Sequence, residues 1–149
     1  MDLSVEGKSE RIPPGSHICQ LYSKVTEIHS VTARLLRVGL SLSEKCMFAG
    51  APAQVRDLRD ELIKLQVDVD ELVASGQLVL IDDRETLLAN GKRFDPYFLL
   101  SSHQTFIAQA LREGWQAVRI SIDMTWLVKD IATPEQVLKY EAASDAVFT

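Results

Sequence analysis

Apolar positions along the chain fall into two rhythms. Dense short runs occupy residues 17–22, 45–49, 77–81 and 117–122, each four to six residues long and bounded by polar or turn-forming residues, the length and setting of buried strands. Between them the spacing lengthens to three and four. Ile28, Val31, Leu35 and Val38 lie on one face of a helix predicted over residues 26–41. Pro52 opens a second helix, in which Val55, Leu58, Leu62 and Leu65 form the apolar stripe and Arg56–Asp60 and Asp60–Lys64 are placed as i,i+4 pairs on the wet side. A helical turn over residues 69–74 stops at Gly76, a natural C-cap, and Asp82 and Asp83 close the third strand.

Punctuation marks the remaining elements. Asp95 and Pro96 are an N-cap and first-turn pair for a helix ended by Gly114, and Leu99, His103, Phe106 and Ala110 share one face of it. Thr133-Pro134-Glu135-Gln136 has the form of a capping box, opening a last helix toward Phe148. Strands alternating with amphipathic helices predict an α/β fold, a three-layer sandwich around a mostly parallel central sheet. Residues 1–15 carry no periodicity and hold Pro13 and Pro14, so they read as a flexible lead-in to one domain over residues 16–149.

Composition narrows the function. The 149 residues are 46% hydrophobic and 25% charged, with a net charge of −5; one folded domain is expected, and direct nucleic-acid binding is not. No apolar run approaches the roughly 20 residues of a membrane span. The first residues have no apolar core of a signal peptide, so a cytoplasmic location is expected, and there Cys19 and Cys46 stay reduced.

The candidate chemistry is sparse. Residues 23–29, Ser-Lys-Val-Thr-Glu-Ile-His, stand where a strand turns into a helix, yet they hold no glycine, and Glu27 would repel a phosphate. Neither nucleotide hydrolysis nor a nucleophile elbow is expected, and no cofactor or metal. His17 and Cys19, two apart, would share a strand face; a metal or redox role and simple burial both fit them, with His29 as an outlying third ligand. Arg119 inside a central strand must be paired, with Asp82 or Asp123 as partner, or face outward. Tyr22, Asp123, Met124 and Trp126 gather near the carboxyl ends of the predicted strands, where ligands of open α/β sheets bind.

Residues 16–50, ordered strand, turn, helix, strand, resemble the phosphate-binding unit of RecA-like ATPases, especially KaiC-like proteins, with Asp123 in the place of the magnesium-associated Asp. Several motifs together resemble more closely the MEDS sensory domain: His17-Ile18-Cys19-Gln20-Leu21-Tyr22, Leu36-Arg37-Val38-Gly39-Leu40, Ser75-Gly76-Gln77-Leu78, Gly91-Lys92-Arg93-Phe94-Asp95-Pro96, Met124-Thr125-Trp126 and Tyr140-Glu141-Ala142. That resemblance implies a RecA/KaiC-like fold with a degenerate nucleotide loop. The function it implies is a non-enzymatic signal-input module that senses a small organic, hydrocarbon-derived ligand for a signalling or transcriptional partner or a fused output domain. Together with the reading of the residues it makes His17, Cys19, Tyr22, His29, Arg119, Asp123 and Trp126 the candidate ligand residues. A protein–protein interaction module without a ligand, and a residual nucleotide binder, are the alternatives. The chain departs from the family in having Ser43-Glu44 where members carry Gly-Glu, Asp123 where they carry Glu, and an end at Thr149 where they continue into a further strand. An open sheet edge left there would favour a homodimer.

Overall fold

The computed structural model describes residues 12–82, 94–130 and 132–148. Its elements run α1 (Val25–Ser41), β1 (Lys45–Gly50), α2 (Pro52–Lys64), α3 (Val69–Ala74), β2 (Leu78–Asp82), α4 (Pro96–Arg112), β3 (Val118–Ile122), α5 (Thr125–Asp130) and α6 (Pro134–Phe148). The three strands are parallel in the order β2-β1-β3, with Met47 opposite both Val79 and Ile120. This is an α/β fold in three layers, as the alternating pattern predicts.

Because side chains alternate across a sheet, β1 serves two cores. Cys46 and Phe48 point to α1 and α2, where Ala33, Leu36, Leu58, Leu62, Val69 and Leu78 complete a cluster of buried apolar side chains. Lys45, Met47 and Ala49 belong to the opposite face. There a second cluster joins Phe94, Leu99, Leu100, Leu127 and Tyr140, with Ile122 and Val147 against it. Each fully buried Leu or Phe contributes roughly 1.5 to 3 kcal/mol of transfer free energy, so these two clusters hold the layers together.

Local signals set the boundaries. Asp95 caps α4, its Oδ1 accepting from the Tyr97 N–H at 2.9 Å. Thr133 and Gln136 form the reciprocal capping box of α6: the Thr133 N–H donates to Gln136 Oε1 at 2.9 Å, and Thr133 Oγ1 accepts the Gln136 N–H at 3.3 Å. Gly76 and Gly114 end α3 and α4 with φ of 77° and 93°, the left-handed conformation a C′ glycine supplies.

Three expectations are corrected, and one element is added. Residues 17–22 form no strand; Ile18 and Leu21 are 60% and 92% exposed, and the segment leaves the sheet with three strands among the described residues. A strand needs a ladder partner as well as apolar residues, and this segment takes side-chain anchors instead. The buried stripe of α1 is His29, Thr32, Ala33, Leu36 and Gly39, one step round the helix from the expected Ile28, Val31, Leu35 and Val38. Close approach to α2 and β3 selects the small residues. Lys64 pairs with Glu61 at 2.7 Å and not with Asp60. Finally, a short α5 follows β3, begun where Asp123 Oδ1 accepts the Thr125 N–H at 2.9 Å. Asp83, residues 1–11 of the lead-in and residues 91–93 of one motif lie outside the described residues.

Candidate functional site

The six candidate residues whose side chains are described do not converge. Two of them meet: Tyr22 Oη donates to Asp123 Oδ1 at 3.4 Å and shares a short hydrogen bond with Thr125 Oγ1. Burial pushes the Tyr22 phenol above its ordinary pKa; the Thr125 bond opposes this and the Asp123 charge adds to it. Asp123 is 3% exposed, and its Oδ2 has no hydrogen-bond partner. Gly50, at the end of β1, makes room for it: a Cβ there would stand 3.5 Å from Asp123 Cβ and 3.1 Å from the Phe48 ring.

The others are dispersed. His17 lies against α6, with Nε2 3.0 Å from Glu141 Oε2 and Nδ1 2.6 Å from Asp145 Oδ1. Cys19 is exposed, so the shared strand face expected for it and His17 does not exist. His29 is buried between α1 and α2. Trp126 belongs to α5, but its side chain lies outside the described residues.

Arg119 corrects a partner. Its Nε donates to Glu44 Oε2 at 2.7 Å and its Nη2 to Glu44 Oε1 at 3.2 Å, while Nη1 reaches the Leu35 carbonyl at 3.2 Å. The pair sits at the amino end of the sheet, opposite from Asp123. Direction explains the difference, because Arg119 lies near the start of β3 and Asp82 and Asp123 lie beyond strand ends. The neighbouring motif serves the same junction: Gln77 Nε2 donates to the carbonyls of Leu40 and Glu44 at 2.9 and 3.1 Å. Much of the sequence resemblance is therefore carried by residues that fasten α1 to the sheet.

An apolar concavity lies elsewhere. Helix α4 packs mainly on α6 and β3, and among the described residues a gap remains between it and the Met47, Ala49 and Ile81 side of the sheet. The gap is a cavity of about 240 Å³ between those residues and Leu99, Ser102, His103, Thr105, Phe106 and Gln109 of α4. Its floor is apolar because parallel strands bury both faces. Its wall carries a few polar groups, since α4 turns Ser102 and His103 toward the sheet together with Leu99 and Phe106.

His103 is the titratable group of this cavity. It is 3% exposed, and Nδ1 meets the Tyr140 hydroxyl at 3.3 Å, with the two rings edge to face. Burial lowers its pKa to about 4, so the ring is neutral at pH 7. At the rim Lys45 Nζ lies 5.5 Å from the Phe106 ring centre and 2.5 Å from Glu113 Oε2, which lets a lysine be buried in β1. The spacing in the sequence places His103 on the right helix face, with Leu99, Phe106 and Ala110. The cavity itself was missed, because the spacing Leu99, Ser102, His103, Phe106 gives a face but not the distance at which that face stands from the sheet.

Among the described residues no three His, Cys, Asp or Glu side chains stand where they could hold a metal ion, and no helix is long and apolar enough to cross a membrane. The arrangement offers hydrogen bonding and an apolar enclosure, a binding chemistry.

Comparison with known proteins bears on the same reading. No curated protein and no solved structure matches the chain. The family model described as the methanogen/methylotroph, DcmR sensory domain matches residues 16–149, which takes in every element of both cores. The chain therefore belongs to the MEDS family of sensory domains.

Proposed function

We propose that this domain is a signal-input module that binds a small, largely apolar organic molecule in the cavity between α4 and the β1–β2 face, without chemical turnover. The observation that carries the reading is the cavity. Its volume of about 240 Å³ equals about eight waters, enough for a molecule of several carbons and too little for a nucleotide. Met47, Ala49, Ile81, Leu99 and Phe106 supply apolar contact, and Ser102, His103 and Gln109 supply a few directional polar atoms, the usual make-up of small-molecule sites. Membership in a family of sensory domains supports the same role.

The output follows α6. His103 touches Tyr140 on that helix, and the next residue, Glu141, together with Asp145 a turn further on, holds His17. A ligand that moves His103 thus shifts a helix that also anchors the amino-terminal segment, and a signalling or transcriptional partner, or a fused output domain, reads that shift. A ligand can bias such an equilibrium only by its differential affinity for the two states.

The test is a thermal-shift and calorimetric series with linear 1-alkanols of about four to eight carbons, sized to the cavity. The parent should be stabilised, with an optimum chain length, and Ser102→Phe, which fills the cavity from α4, should lose the response while keeping its fold. An equal response in the variant places binding elsewhere, and none in the parent rejects an apolar ligand of this size.

A further inference from the structure

A second cavity, on the other side of the sheet, has the opposite chemistry. It lies between α1 and α2, measures about 170 Å³, and is lined by Thr26, His29, Asp57, Asp60, Glu61 and Lys64. His29 is 4% exposed, and its Nε2 is buried with no hydrogen-bond partner. An imidazole nitrogen left this way is costly to the fold, which makes it a group whose partner should be sought. Across from it α2 presents three carboxylates within two turns. Lys64 bonds Glu61 at 2.7 Å, while neither Asp57 nor Asp60 takes part in an ion pair among the described residues.

We propose that this cleft binds a small organic ammonium ion, an alkyl diamine being the best fit. Three carboxylates against one lysine favour a cation and repel phosphate and carboxylate ligands. A bare metal ion is the wrong cation, because among the described residues no three His, Cys, Asp or Glu side chains stand in metal-holding geometry. An ammonium group carries its own N–H donors and tolerates acceptors spread round a cleft: Asp57 and Asp60 each accept a charge-assisted hydrogen bond, and the unpartnered Nε2 of His29 accepts a further one. The volume of about 170 Å³ equals about six waters, room for a short diamine chain. This site shares no lining residue with the apolar cavity, so it stands whether or not that cavity binds a ligand.

Calorimetry on the full chain with 1,4-diaminobutane tests it, with tetramethylammonium at equal ionic strength as a cation that lacks N–H donors. The expected result is a dissociation constant below about 1 mM for the diamine, with tetramethylammonium binding at least tenfold more weakly. Asp57→Asn/Asp60→Asn alters two exposed side chains, so the fold is retained, and it should weaken the diamine tenfold or more. His29→Gln, checked for folding by circular dichroism, should weaken it further in the same direction. No binding by the parent, equal binding of the two cations, or unchanged affinity in the double variant overturns the proposal.

Discussion

Arg119 grips Glu44 with two parallel hydrogen bonds, from Nε at 2.7 Å and from Nη2 at 3.2 Å, across the amino end of the sheet. Both side chains are largely buried, at 13% and 15% exposure. Gly39 of α1 lies directly against the pair: a Cβ there would stand 2.7 Å from Arg119 Nε, 2.8 Å from Glu44 Oε2 and 2.9 Å from Cys46 Sγ. The pair, the helix and the first core cluster meet at one place. Arg119→Ala strands a buried carboxylate and should cost about 3 kcal/mol, a drop in melting temperature on the order of 10 °C for a domain of this size. A parent-like melting curve would show that solvent already carries the Glu44 charge.

Gly39→Ala should destabilise as well. Alanine in a helix interior is normally favoured over glycine by about 1 kcal/mol, so a lower midpoint in urea would show that the clash with the ion pair outweighs helix propensity. A higher midpoint would mean that the pair moves aside freely.

Ser43, with φ of 59°, occupies the left-handed region between α1 and β1. Relief of about 1 to 2 kcal/mol of left-handed strain, set against the roughly 0.4 to 1 kcal/mol of added unfolded-state entropy, predicts a net gain of about 0.5 to 1 kcal/mol for Ser43→Gly. Chemical denaturation measures it directly, and a loss of stability would point to an uncounted Ser43 contact.

The pH dependence of stability should carry the signature of His103. Its folded pKa, about 4, lies below the ordinary histidine value of 6.5, so between these values the unfolded chain binds the extra proton and stability rises with pH. Full stability is present above pH 6.5 and is lost as pH falls toward 4, by about 3 kcal/mol in all. His103→Gln should flatten that portion of the curve; the same slope in the variant would assign the loss to other groups.

The two thiols should separate cleanly. Cys19 is exposed, whereas Cys46 is buried and burial pushes its thiol up to about 12, which suppresses the reactive thiolate. An aromatic disulfide reagent should titrate one thiol in the native protein and two after unfolding. Two fast thiols in the native state would mean that the core around Cys46 opens readily.

Periodicity and punctuation in the sequence determined the order of the elements from α1 to β3, the three paired strands, the Asp95 and Thr133 caps and the turns at Gly76 and Gly114. Each of these depends on the local backbone and on neighbours within a few residues, which a linear pattern records. The family was also legible, through motifs that turn out to fasten α1 to the sheet and the amino-terminal segment to α6.

Tertiary structure decided the rest. Residues 17–22 have the composition of a strand, but strand formation needs a ladder partner at the right distance, and here Tyr22 and His17 hold the segment by side chains to Asp123, Thr125, Glu141 and Asp145 instead. Arg119 had to be paired, as charge burial requires, yet its partner is Glu44 because sheet register brought that residue within reach. The α1 stripe is rotated because close packing chose Ala33 and Gly39 over larger neighbours. Both cavities exist only as distances between elements, set by how α4 leans toward α6 and how α1 crosses α2. Such distances are fixed when the elements pack, which is why one sequence read in order shows the walls of a site and not the space between them.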